Sequence, residues 1–279
     1  MSDLDYRLRR LFNPRSGRCL DIAVDHGFFG ERSFLAGIED LPAAVAVLAA
    51  AGPDAIQLTV GQAHLLQGSG GRQRPALVLR TDVANVYGTP LPDHMYSLLT
   101  PEPALRGVRL DAACIVVNLL DLPDRPAVRE ACLRNVLTAR ADCDRYGMPL
   151  MVEPLVMKET PAGAYTVNGD IERIVPIVRQ AVELGADVIK ADPTDDPHAY
   201  AAVVQTASGV PVLVRGGGRV DDAELLARTA GVLACGARGI VYGRNIIAHP
   251  KPGALTAALL GMLHDDLDPE GALRVIEQG

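Results

Sequence analysis

Short runs rich in Val, Ile and Leu recur along the chain at 19–24, 55–60, 75–79, 112–117, 148–152, 186–189, 210–214 and 238–241. They are continuous rather than alternating, the pattern of parallel strands covered on both faces. Between them lie amphipathic stretches of helical length, at 41–51, 125–146, 170–184 and 221–234. Asp124 ahead of Pro126 and Asp170 ahead of Glu172 read as helix starts, with acids near the positive end of the helix dipole. Gly52, Gly147, Gly185 and Gly236 follow helical stretches, where a left-handed cap favours glycine. Eight strand–helix alternations predict a (β/α)8 TIM barrel, with residues 1–279 forming one domain. A doubly wound open sheet is the alternative, but no glycine-rich fingerprint follows the first strand. Two connections are long, 81–110 after the third strand and 155–169 after the fifth. Loops in that position carry lids and substrate contacts, or are plain surface insertions.

Composition narrows the function. The chain has 279 residues, 48% hydrophobic and 22% charged, so it can bury a core. A net charge of −7 offers no positive field for nucleic acid. No run of 18 apolar residues and no apolar leader core is present, so no membrane contact is expected. Cys19, Cys114, Cys132, Cys143 and Cys235 are scattered and odd in number, which predicts free thiols in a reducing cytoplasm. Of the 27 basic residues only Lys158, Lys190 and Lys251 are lysines, so a lysine inside the barrel needs a reason of its own.

In such a barrel the residue that closes each strand faces the active-site mouth. The first strand closes on Asp25-His26-Gly27, the third on Arg80, the fifth on Glu153 and the sixth on Lys190. The seventh closes on Arg215 followed by Gly216, Gly217 and Gly218, and the eighth on Gly243-Arg244. Lys190 ends an apolar strand, where partial desolvation lowers a lysine pKa and frees an amine to attack a carbonyl. A snorkelling surface lysine is the bland reading. Glu153 and Asp25 would supply the proton transfers that Schiff-base chemistry requires. The two glycine clusters fit a phosphate site after the seventh and eighth strands, with backbone N–H groups and a helix start aimed at the anion. His26, Arg80 and Arg215 are further candidate substrate contacts. The six histidines show no metal-ligand spacing, so neither a metal nor another cofactor is expected.

Segments 20–27, 185–190, 211–218 and 236–245 resemble those of class I (Schiff-base) aldolases, in the group that joins archaeal-type fructose-bisphosphate and tagatose-bisphosphate aldolases. The resemblance spans nearly the whole chain in the family's order. It implies a barrel with Lys190 as the Schiff-base lysine, Asp25 as a catalytic acid, and Gly217, Gly218, Gly243 and Arg244 around a substrate phosphate. Archaeal-type members carry a tyrosine as acid/base after the fifth strand, where this chain has Glu153-Pro154. That glutamate looks like the one in tagatose-bisphosphate and sulfofructose-phosphate aldolases.

The expected activity is metal-independent, reversible aldol cleavage of a phosphorylated ketose by a cytoplasmic homo-oligomer, with Asp25 or a tyrosine such as Tyr165 as the substitute should Glu153 not be the acid/base. Two other readings remain open. The same lysine could serve a transaldol, synthase or acyl-transfer step, or the barrel could bind a sugar phosphate without turnover.

Overall fold

The computed structural model describes residues 3–68 and 74–279. Eight parallel strands form the barrel: β1 (Cys19–Ala23), β2 (Ala55–Thr59), β3 (Ala76–Arg80), β4 (Ala112–Asp121), β5 (Leu150–Glu159), β6 (Val188–Ala191), β7 (Val212–Arg215) and β8 (Gly239–Tyr242). Each strand pairs with the next, and β8 returns to β1 with Cys19 opposite Gly239 and Asp21 opposite Val241. The β4–β5 pairing leaves no open edge, which excludes the doubly wound sheet. At Gly239, φ is +139° and a Cβ would stand 2.0 Å from the Cys19 carbonyl oxygen, so only glycine lets β8 approach β1 this closely.

Alternation along the strands sorts their side chains into two sets. The outward set, including Ile22, Ile56, Leu58, Leu77 and Leu79, packs against helix residues such as Val45, Leu48, Val136, Val178, Leu226 and Leu259. The inward set starts apolar: Cys19, Ala55, Ala76, Val78, Cys114, Val116, Met151, Val188, Leu213 and Val241 fill the lower barrel. Leu11 closes the bottom from the N-terminal helix Asp3–Leu11. One pleat higher, the inward set becomes Gln57, Arg80, Asn118, Glu153, Lys190 and Arg215, towards the C-terminal end of the barrel. The fold therefore carries its polar groups at the mouth, above an apolar floor.

The helices fall where the pattern predicts them, at Leu41–Ala50, Pro126–Tyr146, Ile171–Glu183 and Asp222–Ala234. Asp170 and Asp221 cap their helices by accepting from the Glu172 and Glu224 amides. Asp124 does not cap; the residue ahead of its helix is Arg125, which makes no side-chain cap bond. Neither long connection is a structureless loop. The 81–110 segment forms an antiparallel pair, Asp82–Ala84 with Ser97–Leu99, followed by the helix Pro103–Arg109. In 155–169 the fifth strand runs on to Glu159 and Tyr165–Val167 folds back against it. Polar residues at the strand ends hid both extensions, because the apolar run stops where the side chains reach the mouth. Among the described residues no helix is long and apolar enough to cross a membrane.

Candidate active site

Asp25, His26, Arg80, Glu153, Lys190, Arg215, Gly216, Gly217, Gly243 and Arg244 line one pocket at the barrel mouth. Ten of the residues singled out in the sequence thus converge. Gly218 is the exception: it borders a neighbouring surface cleft beside Pro193 and Arg228.

The centre of the pocket is an ion-pair network. Lys190 is 3% exposed, and its Nζ lies 3.0 Å from Oε2 of Glu153, itself 3% exposed, while donating to Oε1 of Gln57 at 3.3 Å. Glu153 also accepts from Nη2 of Arg80 and faces Nε of Arg215 at 3.3 Å. Burial by itself would raise the Glu153 pKa; Lys190, Arg80 and Arg215 together overcome it and hold the carboxyl at about 2. Asp25 accepts from Nε of Arg80 at 2.8 Å and from Nε2 of Gln57 at 2.6 Å. Burial opposes its charge too, but Arg80 and Lys190 bring its pKa below the ordinary value. Both carboxylates are therefore ionised at rest.

The two arginines are committed. Arg80 meets Asp25, Asp82 and Glu153, and Arg215 meets Glu153 and Asp192. Each guanidinium is buried, and its acids outweigh that cost and raise its pKa. Asp82 is itself held by the Asn118 backbone and side-chain amides, both at 2.9 Å. Asp192 accepts from the Val156 amide at 3.2 Å. The charges of Arg80 and Arg215, read from the sequence as candidate substrate contacts, are thus already met by protein carboxylates.

Arg244 differs. Among the described residues no carboxylate pairs with it; it donates to the Gly217 carbonyl at 3.3 Å and lies over the Phe34 ring, 4.8 Å from its centroid. Burial and the nearby Arg215 depress its pKa, the mark of a cation without its counter-charge. Next to it, Asn245 braces the glycine turn, donating to the Gly216 and Gly218 carbonyls at 3.3 Å and accepting from Val220 N–H. Gly217 has φ +63°, and Gly243 has no room for a side chain, since a Cβ would stand 2.2 Å from the His26 ring. The turn after β7 and the residue after β8 so form one corner beside an arginine that has no carboxylate partner among the described residues.

His26 is half-buried; its Nδ1 is buried and lacks a hydrogen-bond partner among the described residues, and its ring meets Phe34 edge-on. Burial, only partly offset by Asp25, lowers its pKa to about 4, so the ring is neutral at neutral pH. The upper wall is aromatic: Phe28, Phe29 and Phe34 from the turns after β1, and Tyr87 from the segment after β3. Tyr87 packs edge-on against Phe29 and Phe34, and burial keeps its phenol protonated by raising its pKa, against the pull of Arg215. Tyr165 does not reach the pocket; its hydroxyl donates to the Pro123 carbonyl at 3.0 Å. Lys158 is exposed, and Lys251 bonds the Ile276 and Glu277 carbonyls, which leaves Lys190 as the lysine at the mouth. Among the described residues no group of three or more His, Cys, Asp or Glu is arranged to hold a metal ion.

Sequence reasoning missed Asp21, Gln57, Asp82, Asp192, Asn245 and the aromatic wall. Asp21 and Gln57 did carry a signal, as polar residues within apolar strand runs. Asp82 and Asp192 lie just beyond the predicted strand ends, and nothing local marks Tyr87 or Phe34.

The profile of the DeoC/LacD family aldolases matches residues 19–249. An uncharacterized aldolase of Saccharolobus solfataricus is 30% identical, over 98% of each chain. A 2-amino-3,7-dideoxy-D-threo-hept-6-ulosonate synthase of Halobacterium salinarum is 30% identical over 96% of this chain and 94% of its own. Among solved structures, an archaeal fructose-1,6-bisphosphate aldolase described with its catalytic lysine bound to the carbinolamine of the substrate superposes with TM-score 0.75. It is 23% identical and covers 94% of this chain and 99% of its own, a likeness of fold.

Proposed function

The chain belongs to the DeoC/LacD family of aldolases, and on that premise we propose that it makes and breaks a carbon–carbon bond of a phosphorylated ketose through a Schiff base at Lys190. The observation that carries this reading is a buried lysine at the barrel mouth whose Nζ stands 3.0 Å from a carboxylate. In cleavage, the free amine of Lys190 adds to the ketose carbonyl and the carbinolamine loses water, leaving an iminium ion. Glu153 takes the proton of the hydroxyl two carbons away as the carbon–carbon bond breaks, and the electron pair moves onto the iminium nitrogen. Iminium and carboxylate become enamine and carboxylic acid, so two opposite charges vanish together. That compensation lets a carboxylate held at about 2 act as base, because the charge on Lys190, the strongest of the three that depress its pKa, is lost in the same step while Arg80 and Arg215 keep theirs. Asp25 orients a substrate hydroxyl or assists dehydration, with Gln57 linking it to Lys190.

The phosphate is assigned to the corner formed by Gly216, Gly217, Gly243 and Arg244, with Gly218 shaping the turn from behind. Arg244 supports this as the pocket cation without an acid partner, and a charge-assisted contact to phosphate would supply one. With Arg80 and Arg215 neutralised by carboxylates, the pocket suits one phosphate rather than two. His26 and Tyr87, one neutral and one protonated, are hydrogen-bonding groups for the sugar hydroxyls.

A second reading has a specific support, the Halobacterium synthase that matches over nearly the full length. Here the Lys190 enamine is captured by a different aldehyde, and the net reaction is synthesis. Borohydride reduction with dihydroxyacetone phosphate, followed by peptide mapping, tests the shared chemistry. An adduct on Lys190 supports it, and an adduct elsewhere or none removes it. A screen of acceptor aldehydes then separates cleavage from synthesis.

A further inference from the structure

Asp21 sits on the inward face of β1, between Cys19 and Ala23, below the network just described. It is fully buried, and neither carboxylate oxygen has a hydrogen-bond partner among the described residues. Its register partners are Ala55 and Val241, so β2 and β8 offer it no polar group at that level. A buried carboxylate with nothing to bond is costly, and the Ala, Val, Leu and Met around it show that the floor could be wholly apolar. The titratable and charged groups that act on it are Lys190 from β6, Arg80 from β3 and Glu153 from β5. Asp25 just after β1, Cys19 on β1 and Cys114 on β4 also act on it. Lys190 has the largest influence of any charge among them.

We propose that Asp21 is a positioning residue that serves Lys190 as a switching counter-ion: its ionised form is favoured while Nζ is charged as ammonium or iminium, and its protonated form while Nζ is neutral as amine or carbinolamine. This rests on the Schiff-base reading above. The exchange balances. Ammonium and carboxylate become amine and carboxylic acid; the proton leaves Nζ, an equivalent proton arrives on Asp21, and the charge inside the barrel is unchanged. Burial pushes the Asp21 pKa up to about 7, with Lys190 pulling the other way. Once Lys190 loses its charge, the strongest pull towards ionisation is gone; burial, Asp25 and Glu153 then outweigh Arg80, and the carboxyl takes up a proton. By reciprocity, a protonated Asp21 favours the free amine.

The test is the pH dependence of borohydride-trapped imine with dihydroxyacetone phosphate in the parent, Asp21→Asn and Asp21→Leu. Without its counter-ion the ammonium is less favoured, so the acid limb of both variants should move about half to one pH unit lower. Infrared spectra with labelled aspartate should show a protonated carboxyl stretch that fades through about pH 7 in the parent, persists to higher pH in Lys190→Met, where the charge at Nζ is gone, and is missing in Asp21→Asn. If both variants fail to fold, this band decides alone. A parent that traps normally while both variants keep its pH profile, whatever their melting temperatures, overturns the proposal, as does absence of the band. A parent that traps no imine on Lys190 instead removes the Schiff-base reading.

Discussion

Lys190 and Glu153 stand on neighbouring strands with Nζ and Oε2 3.0 Å apart, and each is also claimed by a second partner, Gln57 for the lysine and Arg80 for the glutamate. The pair is buried, so neither charge can be screened by water when the other changes. Chemistry at the lysine is thereby tied to the protonation of the carboxylate, and substitution of either one alters both.

Glu153→Gln should still form a trapped imine, because Lys190 and the phosphate corner remain. Cleavage should fall at least about 100-fold, the usual worth of a positioned acid/base. The variant should also be less stable, by about 3 kcal/mol, because Arg80, Lys190 and Arg215 lose a shared counter-charge. Single-turnover cleavage and a denaturant melt separate the two effects. Cleavage at the parent rate would remove Glu153 from the acid/base role.

Arg244→Ala should raise KM about 30-fold, the equivalent of 2 kcal/mol for a lost charge-assisted contact, with little change in stability since no carboxylate is left unpaired. Inorganic phosphate should compete with substrate in the parent and hardly at all in the variant. Gly243→Ala should instead unfold more easily, because its Cβ would collide with the His26 ring at 2.2 Å. Equal KM in parent and Arg244→Ala would move the phosphate elsewhere.

Tyr87→Phe keeps the ring contacts with Phe29 and Phe34 and removes only the hydroxyl. Its kcat should drop about tenfold, the scale of one hydrogen bond, without a change in melting temperature. Tyr165→Phe removes a bond to the Pro123 carbonyl away from the pocket and should leave kcat untouched. The reverse ranking would restore Tyr165 as a catalytic candidate.

Stability should have an acid limb and an alkaline limb. The Glu153 pKa is lower folded, about 2, than its ordinary 4.5, so its contribution is present above pH 4.5 and lost as pH falls towards 2. The Asp21 pKa is higher folded, about 7, than its ordinary 3.8, so stability present below pH 4 is lost as pH rises through 7. Asp21→Asn should therefore gain on the parent between pH 5 and pH 8, by on the order of a few kcal/mol. Melts at the two pH values check this, and a constant difference would refute it.

The sequence by itself determined a single layer of eight parallel strands covered by helices, since eight continuous apolar runs separated by amphipathic helices fit few other arrangements. Closure could not be read from it; only the β4–β5 pairing decided between barrel and open sheet. Strand ends named Lys190, Glu153, Asp25, Arg80 and Arg215, because in a parallel barrel the last inward residue of each strand has one place to go. What they do to one another was decided by tertiary structure. The commitment of Arg80 and Arg215 depends on Asp82 and Asp192, which enter from beyond the strand ends, and the aromatic wall comes from segments with no repeating pattern. Alternation along a strand fixes which face a side chain takes and is local, hence legible. A charge balance sums groups from six strands at distances of a few ångströms, and no order along the chain encodes that sum.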